Sequence, residues 1–267
     1  MGDFVCYVYA VVPPATAVEL APTGIDGLPV DLVIERDVAA LVGRVAASEY
    51  SANLDDRLAD VAWLGPRATA HDAVMTWASD VGPVVPLPLL SLFRSDDAVR
   101  EMLASRHDEL QSLLARVARG REYGVRAFRV DDELRAVLGE LSPTVAKLEG
   151  DVASAASPGQ AYLLARKLDA ARKDELRRVA SSISNALYRD LVARSLDAAQ
   201  DPLPKASAEQ SGAAVLNASF LVAHDRLDDF RAAVTAFMRD HDRRGFRVEF
   251  TGPWPPYHFT RSATDVR

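Results

Sequence analysis

Residues 215–251 read VLNASFLVAHDRLDDFRAAVTAFMRDHDRRGFRVEFT, and the fold turns on this stretch. Val215 to Val222 is an apolar run of strand length. Asp225 stands where it can cap a helix, and Leu227, Phe230, Val234, Phe237 and Met238 then fall on one stripe until Arg243, Arg244 and Gly245 supply a stop. Phe246, Val248 and Phe250 alternate with Arg247, Glu249 and Thr251, the pattern of a strand with one buried face. Strand, helix and strand in this order, behind an earlier strand pattern and helices, predict an α+β fold.

That earlier strand is expected over Tyr123 to Val130, and a mostly helical region follows it. Leu134, Leu138, Leu141, Val145, Leu148 and Val152 repeat at spacings of four and three, but Ser142-Pro143 interrupts them, so two helices sharing a face are expected. Ser157-Pro158-Gly159-Gln160 combines a cap, a proline at the first helical position and Gln three residues after the cap. The long helix it opens carries Leu164, Leu168, Leu176, Val179, Ile183, Leu187 and Leu191 on its apolar side. Its basic stretch from Arg166 to Arg178 lacks interleaved aromatics and reads as a solvated face before it reads as an RNA surface. Gln200 to Ala214, rich in small and turn-forming residues, is the expected flexible loop.

In the first half, Phe4 to Val12 is apolar on both parities, as a central strand buried on two faces would be. Leu28 to Val33 and Asp37 to Val45 are further strand candidates, although Ala39 to Val42 also fits a helix. A helix is expected from Pro66 to Gly82-Pro83, carrying the adjacent pair His71-Asp72. Neighbours on a helix point about 100° apart and cannot orient one another as a catalytic triad requires, so packing roles are expected. Pro83 to Phe93 is strongly apolar but holds three prolines before Leu89, which places it along a sheet edge. Ser95 caps one helix running through Val99, Leu103, Leu110, Leu114 and Val117 to Gly120. Two domains follow: residues 1–120, and residues 121–267, the second ferredoxin-like with a helical hairpin over about 131–199, the loop 200–214 and an extended tail 252–267.

The chain has 267 residues with 38 acidic against 31 basic, a net charge of −7, so its surface repels a phosphate backbone and nucleic acid is not the expected partner. The single cysteine, Cys6, excludes an intramolecular disulfide, fits a reducing cytoplasm and reads as a small core hydrophobe. Phe4 to Val12 lacks a preceding positive charge and stops at Pro13-Pro14, so it is not read as a signal peptide. No run reaches the roughly 18 apolar residues that span a bilayer. A soluble cytoplasmic protein without a membrane partner is expected.

Site chemistry is sparse. The sequence holds no phosphate loop, dinucleotide fingerprint, HExxH or GxSxG. The five histidines are scattered, and His241 between Asp240 and Asp242 diverges from both around a helix, which makes a metal site the weaker reading. No catalytic residue, cofactor or metal is assigned. The distinctive segment is Pro253-Trp254-Pro255-Pro256-Tyr257-His258-Phe259, directly after the last strand. Its prolines can lay the aromatics on the body as a strap, or present them to a partner at low entropy cost.

The tail Gly252-Pro253-Trp254-Pro255-Pro256-Tyr257-His258-Phe259 resembles the GPWPPYxF pattern of the gas vesicle protein GvpL/GvpF family. So do Tyr7 to Val12, the helix His71 to Ala78 with Pro83 to Leu87, Gly159 to Leu164, and Asn217 to Val222. Leu89-Leu90 departs from the pattern, standing where a pair closer to Phe-Gly is expected in relatives, and Gln160 stands where a basic residue is frequent. The resemblance implies a non-enzymatic protein of gas vesicle assembly, cytoplasmic or vesicle-associated. Its implied partners are the major shell protein and other accessory proteins. The candidate contact residues are Pro253, Trp254, Pro255, Pro256, Tyr257 and Phe259 of the tail and Leu87, Leu89, Leu90 and Phe93 of the edge run. A nucleic-acid-binding regulator and an enzyme with an unrecognised site are the alternatives.

Overall fold

The computed structural model describes residues 4–50, 57–204 and 212–260. The chain divides into two compact units, one formed by Met1–Glu122 with Pro253–Arg267 and the other by Tyr123–Gly252. The sequence reading attached the tail to the second domain; the structure groups it with the first unit.

In the first unit, strand β1 (Phe4–Val12) pairs antiparallel with β3 (Val38–Ala46), which pairs with β2 (Asp31–Glu35). The other edge of β1 carries two short strands, β4 (Val85–Pro86) and β5 (Leu92–Phe93). Three prolines deprive this edge run of donors and confine it to two-residue pairings. The apolar residues of β1 occupy both parities because each face is covered. Tyr7 and Tyr9 pack with Val74 and Met75 of helix α1 (Val61–Val81), while Cys6 and Val8 pack with residues of α2 (Asp96–Ser105) and α3 (His107–Val117). A register shift between Val8 and Ala10 then reverses the parity, so Ala10 and Val12 join the Tyr9 face.

Two expectations here are corrected. Helix α1 begins five residues before Pro66, because the Asp60 carboxylate accepts hydrogen bonds from the Ala62 and Trp63 N–H groups, and Pro66 lies inside the helix. The helix expected from Ser95 to Gly120 is two helices. Ser95 caps the first, the backbone breaks at Arg106 (φ −112°, ψ 16°), and Gly120 opens a strand.

The second unit holds a four-stranded sheet in the order β7 (Asp197–Gln200), β8 (Ala213–Ala223), β6 (Gly120–Arg129), β9 (Phe246–Trp254). Between β6 and β7 run α4 (Asp131–Ala136), α5 (Leu138–Leu141), α6 (Pro143–Ala153) and α7 (Pro158–Val192), and α8 (Leu227–His241) joins β8 to β9. Ser142 and Ser157 cap α6 and α7 with Pro143 and Pro158 at the first turn, as their sequences require. At 35 residues α7 is about 52 Å long. Its middle packs Leu168, Leu176 and Val179 against Leu134, Leu138, Val145 and Leu148, and its last turns place Leu187 and Leu191 with Phe220, Phe230 and Val234.

Strand β7 was not foreseen, and β8 starts at Ala213, so the expected loop shortens from both ends; its residues 205–211 lie outside the described residues. Asp225 does not cap α8, which follows a short 3-10 turn over His224–Arg226.

Gly245 ends the turn before β9 at φ 75°, where an added Cβ would stand 2.7 Å from the Leu134 nitrogen and 2.8 Å from the Val130 oxygen. Gly245→Ala is therefore expected to lower the unfolding free energy by about 2 kcal/mol or more, read from the shift of the urea midpoint.

Candidate partner-binding surface

The tail leaves β9 at Trp254 and turns immediately. Tyr257 N–H donates to the Pro255 oxygen at 2.7 Å, Phe259 N–H to the Pro256 oxygen at 3.2 Å, and the Thr260 hydroxyl to the same oxygen at 2.9 Å. Pro255, Pro256 and Phe259 are buried, and the Arg116 guanidinium lies over the Phe259 ring. Burial holds the Tyr257 phenol up at about 12, and Asp72 and Glu122 add to the rise.

The anchor is Glu122, only 2% exposed. One carboxylate oxygen accepts the His258 backbone N–H at 3.1 Å, and the other lies 2.5 Å from the His258 ring Nδ1. A buried carboxylate is costly unless its lone pairs are filled; here a residue 136 positions away fills them. Pro253 and Trp254 are exposed, Trp254 to 49%. The strap thus begins at residue 255, and the two residues before it stay at the surface.

The edge run is more deeply committed. Leu87 is buried, and Leu89, Leu90 and Phe93 are half-buried against the two cores. The Leu87 N–H donates to the Tyr9 oxygen, the Val8 N–H to the Ser91 oxygen, and the Leu90 N–H to the Tyr7 hydroxyl at 3.1 Å. Leu90 sits at φ 66°, a left-handed conformation that glycine adopts freely and a leucine does not.

Beneath this edge lies a polar cluster that neighbour spacing hid. The Tyr7 hydroxyl is 2.8 Å from His71 Nδ1, and the rings of Tyr7 and Tyr9 flank the imidazole. Since Tyr7 accepts from Leu90, its own O–H is available to donate to Nδ1, which assigns the ring proton to Nε2. The pair His71-Asp72 is not a dyad, because His71 turns to Tyr7. Cys6 is likewise enclosed: burial first, and Asp96 second, push its thiol up to about 12, and its Sγ lies 3.1 Å from Asp96 Oδ1. Such a thiol is unreactive. No group of His, Cys, Asp and Glu fit to hold a metal ion occurs among the described residues. Around His241, Asp240 pairs with Arg239 and the imidazole faces the Phe237 carbonyl.

Glu122 was missed in the sequence. Its one signal is a carboxylate directly before the apolar positions of β6, and nothing there names His258. The His71 ring has a testable consequence. Burial lowers its pKa from 6.5 to about 4, with Asp72 opposing the shift. The unfolded chain takes up this proton first, so the stability is complete above about pH 6.5 and is lost as pH falls towards 4. His71→Gln is expected to remove about 2 kcal/mol of the stability difference between pH 7 and about pH 4.5, measured by urea unfolding of both proteins.

The model of the gas vesicle synthesis protein GvpL/GvpF family matches residues 5–261. Gas vesicle protein L of a Streptomyces strain is 32% identical over 98% of this chain and 95% of its own length. Gas vesicle protein F of the same strain is 29% identical over 95% and 98%. The crystal structure of GvpF from an Anabaena species superposes with a TM-score of 0.72 at 18% identity, covering 98% of this chain and all of that one, which shows a shared fold of mixed helix and sheet. The chain belongs to the GvpL/GvpF family of gas vesicle proteins.

Proposed function

We propose that the chain acts in gas vesicle formation as a non-catalytic binding protein, engaging the major shell protein and other accessory proteins at the vesicle. The family and the names of its relatives support the setting. The observation that carries the contact is Trp254, half exposed beside the exposed Pro253 and followed by a buried, hydrogen-bonded strap. A large aromatic held in place loses little entropy on docking, and interface energy concentrates on such residues. A small, very apolar shell subunit needs its surface covered before it polymerises, and Trp254, with the exposed parts of Tyr257, Leu89, Leu90 and Phe93, offers that cover. The same reading takes the second unit as ferredoxin-like with the long helices inserted, which its order β7-β8-β6-β9 supports. No described helix is long and apolar enough to cross a membrane.

The test is co-purification of the chain with a candidate major shell protein. Truncation before Gly252 would also remove Phe259 and the groups that satisfy Glu122, so single substitutions discriminate better. Trp254→Ala is expected to weaken binding by about 2 kcal/mol, roughly thirtyfold in Kd, with thermal stability kept. Phe259→Ala, at a side chain 3% exposed, is expected to cost about 3 kcal/mol of stability. Unchanged retention by a folded Trp254→Ala protein would remove the tail as the contact.

A further inference from the structure

A cavity of about 590 Å³ opens between the end of β6, helix α4 and the middle of α7. Arg129, Arg135, Arg172, Lys173 and Arg177 line it. Two aspartates in its wall answer part of this charge: Asp131 pairs with Arg129 at 2.8 Å and with Arg135 at 3.7 Å, and Asp169 lies 3.9 Å from Arg172. Arg172 also reaches Glu149 at 2.8 Å. Lys173 and Arg177 have no ion pair among the described residues. They stand one helical turn apart on the same face of α7, both exposed, with the buried Leu176 in the wall beside them. The chain as a whole carries −7, so a concave basic site with two free cations is a local inversion of its surface charge.

We propose that this cavity docks a short acidic segment of another protein, with its carboxylates on Lys173 and Arg177 and an intervening apolar side chain against Leu176. Arg177 offers a planar fork that matches carboxylate oxygens two at a time, and Lys173 a compact ammonium one turn before it, while Arg129, Arg135 and Arg172 are already paired with carboxylates of the chain. Nucleic acid fits less well. Among the described residues the wall offers no aromatic ring for a base to stack on, and the net charge repels a long polyanion more than a short acidic segment. The assignment stands apart from the shell-protein contact at Trp254 and does not depend on it.

The experiment is fluorescence anisotropy of a labelled oligoglutamate peptide titrated with the full chain at low salt. Saturable binding is expected, weakening by about tenfold or more in the double variant Lys173→Glu with Arg177→Glu, while a matched oligoglutamine peptide does not bind. Both side chains are exposed and outside any ion pair among the described residues, so the variant is expected to keep the parent circular dichroism and Tm. Should it not, the neutral pair Lys173→Gln with Arg177→Gln takes its place, with a smaller loss in the same direction. Absence of saturable binding, or binding indifferent to these substitutions, would overturn the proposal. A single-stranded RNA of equal charge binding through the same residues about tenfold tighter than the peptide would overturn it in favour of nucleic acid.

Discussion

A carboxylate removed from water must find its hydrogen bonds inside the protein, and Glu122 finds them in His258. The first unit depends on this pairing because its chain is discontinuous. It gives up the backbone after Glu122 and recovers it at Pro253, once the whole second unit has been built. Glu122 and His258 stand close to those two crossing points, so the contact fixes where the returning chain begins to pack. Phe259 and the buried prolines then cover surface that the first 122 residues leave open.

This arrangement makes the proline-rich tail a strap over most of its described length. Proline stiffness serves the strap from residue 255 onward, where the backbone folds into short turns, while Pro253 and Trp254 before it are exposed. The edge run behaves differently. Its leucines pack inward along β1, and Leu90 adopts a left-handed backbone to hand its N–H to Tyr7. The resemblance expected a residue nearer glycine at that position; the conformation is the one glycine would take without strain, and half-burial of the leucine side chain offsets part of the cost here.

Local rules read well from the sequence. Strand β1, the interruption at Ser142-Pro143, the capped and proline-led start of α7, the alternation in β9 and the stop at Gly245 all rest on residues within a few positions of each other. What was illegible involved distance or a weak local signal. Nothing in residues 95–120 marks the break at Arg106, and Asp60 outbids Pro66 as a helix start only once both are seen with their hydrogen bonds. Strand β7 is four residues without β-branched side chains, formed by pairing with β8. The tail's aromatic residues stood out in sequence, but which of them are buried depends on Glu122. The basic cavity joins Arg129 and Arg135 to side chains of α7 some forty residues away, and the α7 charges alone look like any solvated helix face.

In the free chain the tail is closed on the first unit, held by the His258 amide on Glu122. Amide hydrogen exchange of the full chain without any partner tests it most directly. The account predicts that the amides of Tyr257, His258 and Phe259 exchange about a hundredfold or more slowly than in an unstructured peptide, with His258 restored towards the unstructured rate in Glu122→Ala. Exchange of all three at the unstructured rate in the parent chain would show the tail free, and would contradict it.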